Sequence, residues 1–248
     1  MEKQTIGFDR ELNLSWLDLA AGLVLEGFDV DQIRQELIAR LANEIPGSEA
    51  CRKTVTVLTR IWSRVPEEHQ ALRAEALALL PRLPPEERLW LHWGMSLLAY
   101  PFFHDVAGTV GRLLHLQGEV ESAQVLRRIR ETWGQRTTLK RAVPRTLRTC
   151  LAWGVIREVP SARYVYEAAS PRQTDDPTLA LWLMECILQS SLSPIAHNGR
   201  QLPLAELVQS PAAFPFDLTP HLAALRRSDR FEISRQGLDL EMVAPVGI

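Results

Sequence analysis

The sequence predicts a mainly α-helical protein whose β-structure is confined to two short hairpins. Apolar residues recur at helical spacing over almost all of residues 10–116, and nothing there alternates with period two. Short extended runs follow a helix twice, once after Gly154 and once after Arg227. Charge is also segregated. Residues 1–125 carry 12 basic and 18 acidic side chains, residues 126–172 carry 11 and 3, and residues 173–248 carry 5 and 9. These divisions predict an all-α bundle over 1–118, a basic unit over 119–169 and a helical unit over 177–248 that ends in a β-hairpin.

The bundle reads as roughly six helices. Leu12 to Leu23 fill a wide apolar face that breaks at Gly27, and Asp29 is placed to cap a helix through Ile33, Leu37 and Leu41. Pro46-Gly47 ends that helix, and Ser48 or Glu49 opens one with Val55, Leu58 and Trp62 on a single face. Pro66-Glu67-Glu68 and Pro85-Glu86-Glu87 are both helix openings, with proline in the first turn and carboxylates at the positive dipole end. Leu89, Trp90, Trp93, Leu97 and Leu98 describe a buried aromatic helix. Pro101 breaks it, and the pattern resumes from Val106 to Gly118.

In the basic unit, Glu119 to Glu131 reads as a helix with Arg127, Arg128 and Arg130 outward, closed by Trp133-Gly134. Thr137 and Thr138 offer capping hydroxyls to a second helix, along which Leu139, Val143, Leu147 and Cys150 form an apolar stripe. Arg141, Arg145 and Arg148 fall on the opposite side. Pro144 places the start of regular helix near Arg141, the alternative being a separate short helix over 137–142. Gly154 suits a left-handed helix end, Val155-Ile156 starts a strand, Pro160-Ser161-Ala162 turns it, and Tyr164-Val165-Tyr166 returns, with Arg157 and Arg163 expected near the tip.

Residues 170–177 have the composition of a linker. Asp176 and Pro177 open a helix striped by Leu179, Leu183, Met184 and Ile187. A loop holding Pro194 and Asn198-Gly199 leads to a short helix, Leu204 to Val208. Thr219 starts another around Leu222 and Leu225, and Phe231–Ile233 pairs with Leu238–Val243 across Gly237.

No residue pattern points to an enzyme. The sequence holds no glycine-rich phosphate loop, GxSxG or HExxH, and its six histidines fall in no ligand spacing. Cys51, Cys150 and Cys186 stand singly, so neither a metal site nor a disulfide framework is expected, nor any cofactor. The opening residues lack the apolar region of a secretory signal, and no apolar run reaches the ~20 residues of a membrane helix. A soluble, cytoplasmic protein is the expectation.

A helix buried on one side and lined with arginine on the other suits insertion into a duplex groove. Arg141, Arg145 and Arg148 would face the bases, with Thr137 and Thr138 beside them. Arg127, Arg128, Arg136 and Lys140 would hold phosphates, and Arg163 would reach the backbone or minor groove. Val143, Leu147, Cys150, Gly154, Val155 and Ile156 match the V-x-x-x-L-x-x-L-x-x-x-G-[LV]-I ending of winged helix-turn-helix proteins, which residues 119–168 resemble. The resemblance implies a wing after the second helix and duplex DNA as partner. The C-terminal unit, three helices and a hairpin, raises the alternative of a second winged helix, although its acidity fits packing or dimerisation. Thr137 to Ile156, with the helical order before it, also resembles the BrxA-type proteins of bacterial BREX phage-defence systems, implying a non-enzymatic DNA-associated role. Two other readings stay open: an interaction subunit whose basic unit docks an acidic partner, a second copy or its own helical domain, and a helical RNA-binding protein.

Overall fold

The computed structural model describes residues 5–191, 201–237 and 240–246. Six helices build the first half: α1 (Leu14–Leu25), α2 (Val30–Leu41), α3 (Ser48–Trp62), α4 (Gln70–Leu79), α5 (Arg88–Ala99) and α6 (Pro101–Gln117). Local chemistry sets their ends. The Asp29 carboxylate accepts the Asp31 and Gln32 amides, while the Gln32 side chain accepts the Asp29 amide, forming a reciprocal capping box. Gly118, at φ 78°, closes α6 in the left-handed conformation.

The basic unit follows as β1 (Glu119–Glu121), α7 (Ser122–Trp133), α8 (Leu139–Ala152), β2 (Ile156–Glu158) and β3 (Val165–Ala168). Its sheet is antiparallel with β3 central, β1 pairing β3 from Glu119↔Glu167 to Glu121↔Val165 and β2 pairing it from Ile156↔Ala168 to Glu158↔Tyr166. Three expectations are corrected here. Glu119–Glu121 is a strand and not the first turn of a helix, because its partner lies some 45 residues downstream. Helix α8 runs unbroken from Leu139 through Pro144, with neither a start at Arg141 nor a separate short helix. Pro144 denies the Lys140 carbonyl its helical donor, but on the half-exposed side, where water can serve, while the opposite face is fixed by buried Leu139, Val143 and Leu147. Thr138 precedes α8 in right-handed geometry and makes no side-chain cap, so the expected threonine capping is absent.

The last unit comprises α9 (Pro177–Ser191), β4 (Leu202–Pro203), α10 (Leu204–Val208), α11 (Leu222–Arg227), β5 (Phe231–Gln236) and β6 (Leu240–Pro245). Asp176 caps α9 by accepting the Thr178 amide. The order β4-β6-β5 repeats the pairing of the basic unit, so α9–β4–α10–α11–β5–β6 has the same connectivity as α6–β1–α7–α8–β2–β3. The expected Pro194, Asn198-Gly199 and Leu238 features lie outside the described residues.

One buried apolar cluster runs through all three segments. At its centre the Trp93 ring of α5 meets Trp153 after α8 at 5.9 Å and Phe214 and Phe216 of the C-terminal unit at 5.6 and 5.8 Å. The Trp93 indole donates to the Ala212 carbonyl (2.9 Å), satisfying its one polar atom. Arg172, in the expected linker, donates to the Trp153 carbonyl. Among the described residues, no helix is long and apolar enough to cross a membrane.

Candidate nucleic-acid interface

Helix α8 has three sides. Leu139, Val143, Leu147 and Cys150 are buried, and burial pushes the Cys150 thiol up to about 12, so it is an inert core group. A second stripe, Arg145, Thr149 and Trp153, repeats every four residues and meets the extended segment Asp9–Leu12. Arg145 donates to the Asp9 carbonyl (2.9 Å), Thr149 accepts the Leu12 amide (3.1 Å), and the Trp153 indole donates to the Leu12 carbonyl (2.9 Å). The third stripe, Thr137, Arg141, Pro144 and Arg148, faces outward with Lys140 at its edge.

The three arginines expected to act alike are therefore unequal. Arg145 is half-buried; burial, and then the charge of Arg10, lowers its pKa, opposed by the Asp9 carboxylate 3.9 Å away. Arg148 is exposed and only loosely paired with Glu11 at 3.6 Å. Arg141 and Lys140 are exposed, and their side chains have no hydrogen-bond or ion-pair partner among the described residues. Thr137 and Thr138 are exposed at the head of the same stripe.

The other expected residues lie around this stripe. Arg127 and Arg128 point outward from α7, where Arg128 pairs with Glu131 at 3.4 Å. Arg136 lies 5.6 Å over the Trp133 ring. Arg163 stands at the hairpin tip, but Arg157 does not. It sits in β2 opposite Glu167 and pairs with it at 3.2 Å, a correction that follows from the strand register. Tyr166 on β3 links the hairpin to the helix: its pKa is raised by burial and by Glu158, while Arg148 pulls it down.

The hairpin tip holds a residue that the sequence pattern does not single out. Tyr164 has φ 62° and is the one described non-glycine residue in the left-handed region, where seven glycines share that sign. Its carbonyl accepts the Ser122 amide that starts α7 (3.0 Å), so the backbone is pinned. The residue is 53% exposed, with the Arg163 guanidinium 4.7 Å above its ring. A glycine would meet the backbone demand at lower conformational cost, and the core takes little from the ring. The signal in the sequence is the turn Pro160-Ser161-Ala162-Arg163-Tyr164, which contains no glycine.

Comparison with family models, with curated proteins and with solved structures returns no match for this chain.

Proposed function

We propose that the chain is a non-enzymatic DNA-binding protein and that residues 119–168 act as a winged helix, with α8 entering the major groove and the β2–β3 hairpin as the wing. The observation that carries this reading is the exposed stripe Thr137–Arg141–Arg148, with Lys140 beside it, on a helix whose opposite side is core. In support, a strand precedes the helix pair and joins the hairpin as the third member of its sheet, the arrangement such a module needs to brace its second helix. Arg141 and Arg148 would read base edges, Lys140, Arg127, Arg128 and Arg136 would hold phosphates, and Arg163 with Tyr164 would meet the backbone or minor groove. Arg145 is reassigned from reading to holding Asp9. The C-terminal unit repeats the connectivity in an acidic setting, with 5 basic and 9 acidic side chains over residues 173–248, and Arg226 on α11 is paired with Glu241 at 2.6 Å, so a packing role suits this unit. A place in phage defence rests on the resemblance of Thr137–Ile156 alone.

Fluorescence anisotropy with a labelled duplex over a salt series tests the reading. Affinity should fall steeply with salt, Arg141→Ala and Arg148→Ala should each weaken binding and relax sequence preference, and Lys140→Ala should flatten the log–log slope by roughly 0.9. A duplex affinity indifferent to both arginine substitutions would sink it. The second reading, intramolecular docking of the basic helix, has its own observation in the Asp9–Arg145 and Glu11–Arg148 pairs. It requires that Glu11→Gln leave duplex binding undetectable, whereas the DNA reading requires that this substitution raise affinity.

A further inference from the structure

Three separate parts of the chain converge on one cleft. Gly7, Asp9 and Arg10 come from the extended segment, Glu49, Lys53 and Thr56 from α3, and Arg141 and Arg145 from α8, lining an open cleft of about 490 Å³. That volume falls within the ~300–1,000 Å³ typical of small-ligand sites. Four of the lining side chains are cationic and two are carboxylates, an excess of two positive charges. The carboxylates do not cancel the field at its densest point. Glu49 is engaged by Lys53 (2.9 Å) and Arg52 (3.5 Å), while Asp9 is shared loosely between Arg10 (3.7 Å) and Arg145 (3.9 Å). The Arg10 side chain is 14% exposed, and its Nε is buried without a hydrogen-bond acceptor. Gathering Arg10, Arg141 and Arg145 in mutual repulsion, with a buried donor unmet, costs stability that an anion in the cleft would return.

We infer that this cleft binds a phosphomonoester, the terminal phosphate of a nucleotide or of a nucleic-acid 5′ end, between Arg10, Lys53, Arg141 and Arg145. A phosphomonoester carries roughly −1.5 to −2 at neutral pH, matching the excess charge, whereas a backbone diester carries a single charge. Guanidinium groups supply forked donors suited to its oxygens, and Lys53 adds a mobile point charge at the mouth. The volume beyond the phosphate leaves space for the sugar or base. The site shares Arg141 with the proposed groove contact but stands on Arg10 and Lys53, which lie off the outward stripe of α8.

Isothermal titration of the full chain with adenosine 5′-monophosphate and with adenosine tests the free-nucleotide source. Anisotropy with one duplex carrying either a 5′-phosphate or a 5′-hydroxyl tests the nucleic-acid end. The expected result is binding that requires the phosphate in at least one arm and falls about tenfold in Lys53→Gln, as expected when one charge-assisted hydrogen bond is removed. Lys53 is exposed, so this variant keeps its fold. Arg10→Gln should act in the same direction, checked by its unfolding midpoint. Phosphate dependence only in the titration assigns a free nucleotide, and only in the duplex pair assigns a nucleic-acid end. Equal binding with and without the phosphate in both arms, or no response to Lys53→Gln, overturns the site. Duplex binding that is abolished in Arg148→Ala, together with no phosphate dependence in either arm, would leave the DNA reading standing while removing this one.

Discussion

Two glycines on α6, three residues apart, should respond in opposite directions to the same substitution. A Cβ on Gly111 would lie 2.0 Å from the Pro211 carbonyl oxygen and 2.8 Å from its carbon, with Phe214 Cβ at 2.9 Å. Ordinary contact begins near 3.4 Å, so the Pro211 backbone would have to retreat by about 1.4 Å. It cannot do so alone. The next residue's carbonyl holds the Trp93 indole, and Phe214 and Phe216 pack on that ring, so the whole junction between α6 and the C-terminal unit would shift. Overpacking of this kind costs about 3 kcal/mol, and the gain of about 0.5–1 kcal/mol from removing a helical glycine offsets only part of it. Gly111→Ala should thus destabilise by about 2 kcal/mol. At Gly108 the nearest atoms to a Cβ are Arg112 Nη1 at 3.8 Å and the Ala212 amide at 4.0 Å, so alanine fits and stabilises by up to about 1 kcal/mol. Urea titration with a common slope reads both, and thermal midpoints should separate by about 5–10 °C for a chain of this size. Equal shifts in the two variants would refute the close approach of α6 to Pro211.

Tyr164→Gly should raise stability by up to about 1 kcal/mol, by relieving the left-handed tyrosine, while weakening duplex binding. A variant unchanged in both would show that the ring serves neither purpose. Arg230 joins the C-terminal unit to the bundle by pairing with Glu75 and Glu185, the latter at 2.6 Å. Burial already pushes the Glu185 carboxyl up, so Arg230→Met, which strands both acids, should cost about 3 kcal/mol at pH 7. Protonation of the stranded acids should narrow that gap on acidification, and a gap constant from pH 7 to 5 would contradict the pairing. Buried His92 contacts the Asp18 carboxylate through Nε2 at 3.0 Å, while its Nδ1 is buried without a partner. Burial lowers its pKa below 6.5 despite Asp18, so the unfolded chain takes up a proton that the folded chain refuses. Stability from this group is present above pH 6.5 and lost as pH falls below it. The Asp18 carboxyl is itself held below its ordinary 3.8 by His92 and Arg88, against the opposing effect of burial, and its contribution is lost only in stronger acid. Denaturation midpoints at pH 7.5 and 5 should fall in the parent and flatten in His92→Gln, which preserves the donor to Asp18.

The sequence by itself determined the helices, most of their ends and the phase of the arginine stripe. Asp29, Asp176, Gly118 and Gly154 act within a turn of their own positions, and the apolar spacing of Leu139, Val143 and Leu147 determines which way Arg141 and Arg148 face. Such signals are local, so they survive without knowledge of the rest of the chain. Tertiary structure decided what depends on distant partners. Glu119–Glu121 becomes a strand only because β3 is there to pair it, and Leu202–Pro203 only because of β6. Nothing near Arg145 in the chain announces Asp9, more than 130 residues away, yet that contact divides the arginine face in two. The same long-range packing brings Arg10 and Lys53 to Arg141. Periodicity gives a helix its faces, but the identity of what covers each face is set by contacts whose loop-closure entropy leaves no local trace in the sequence.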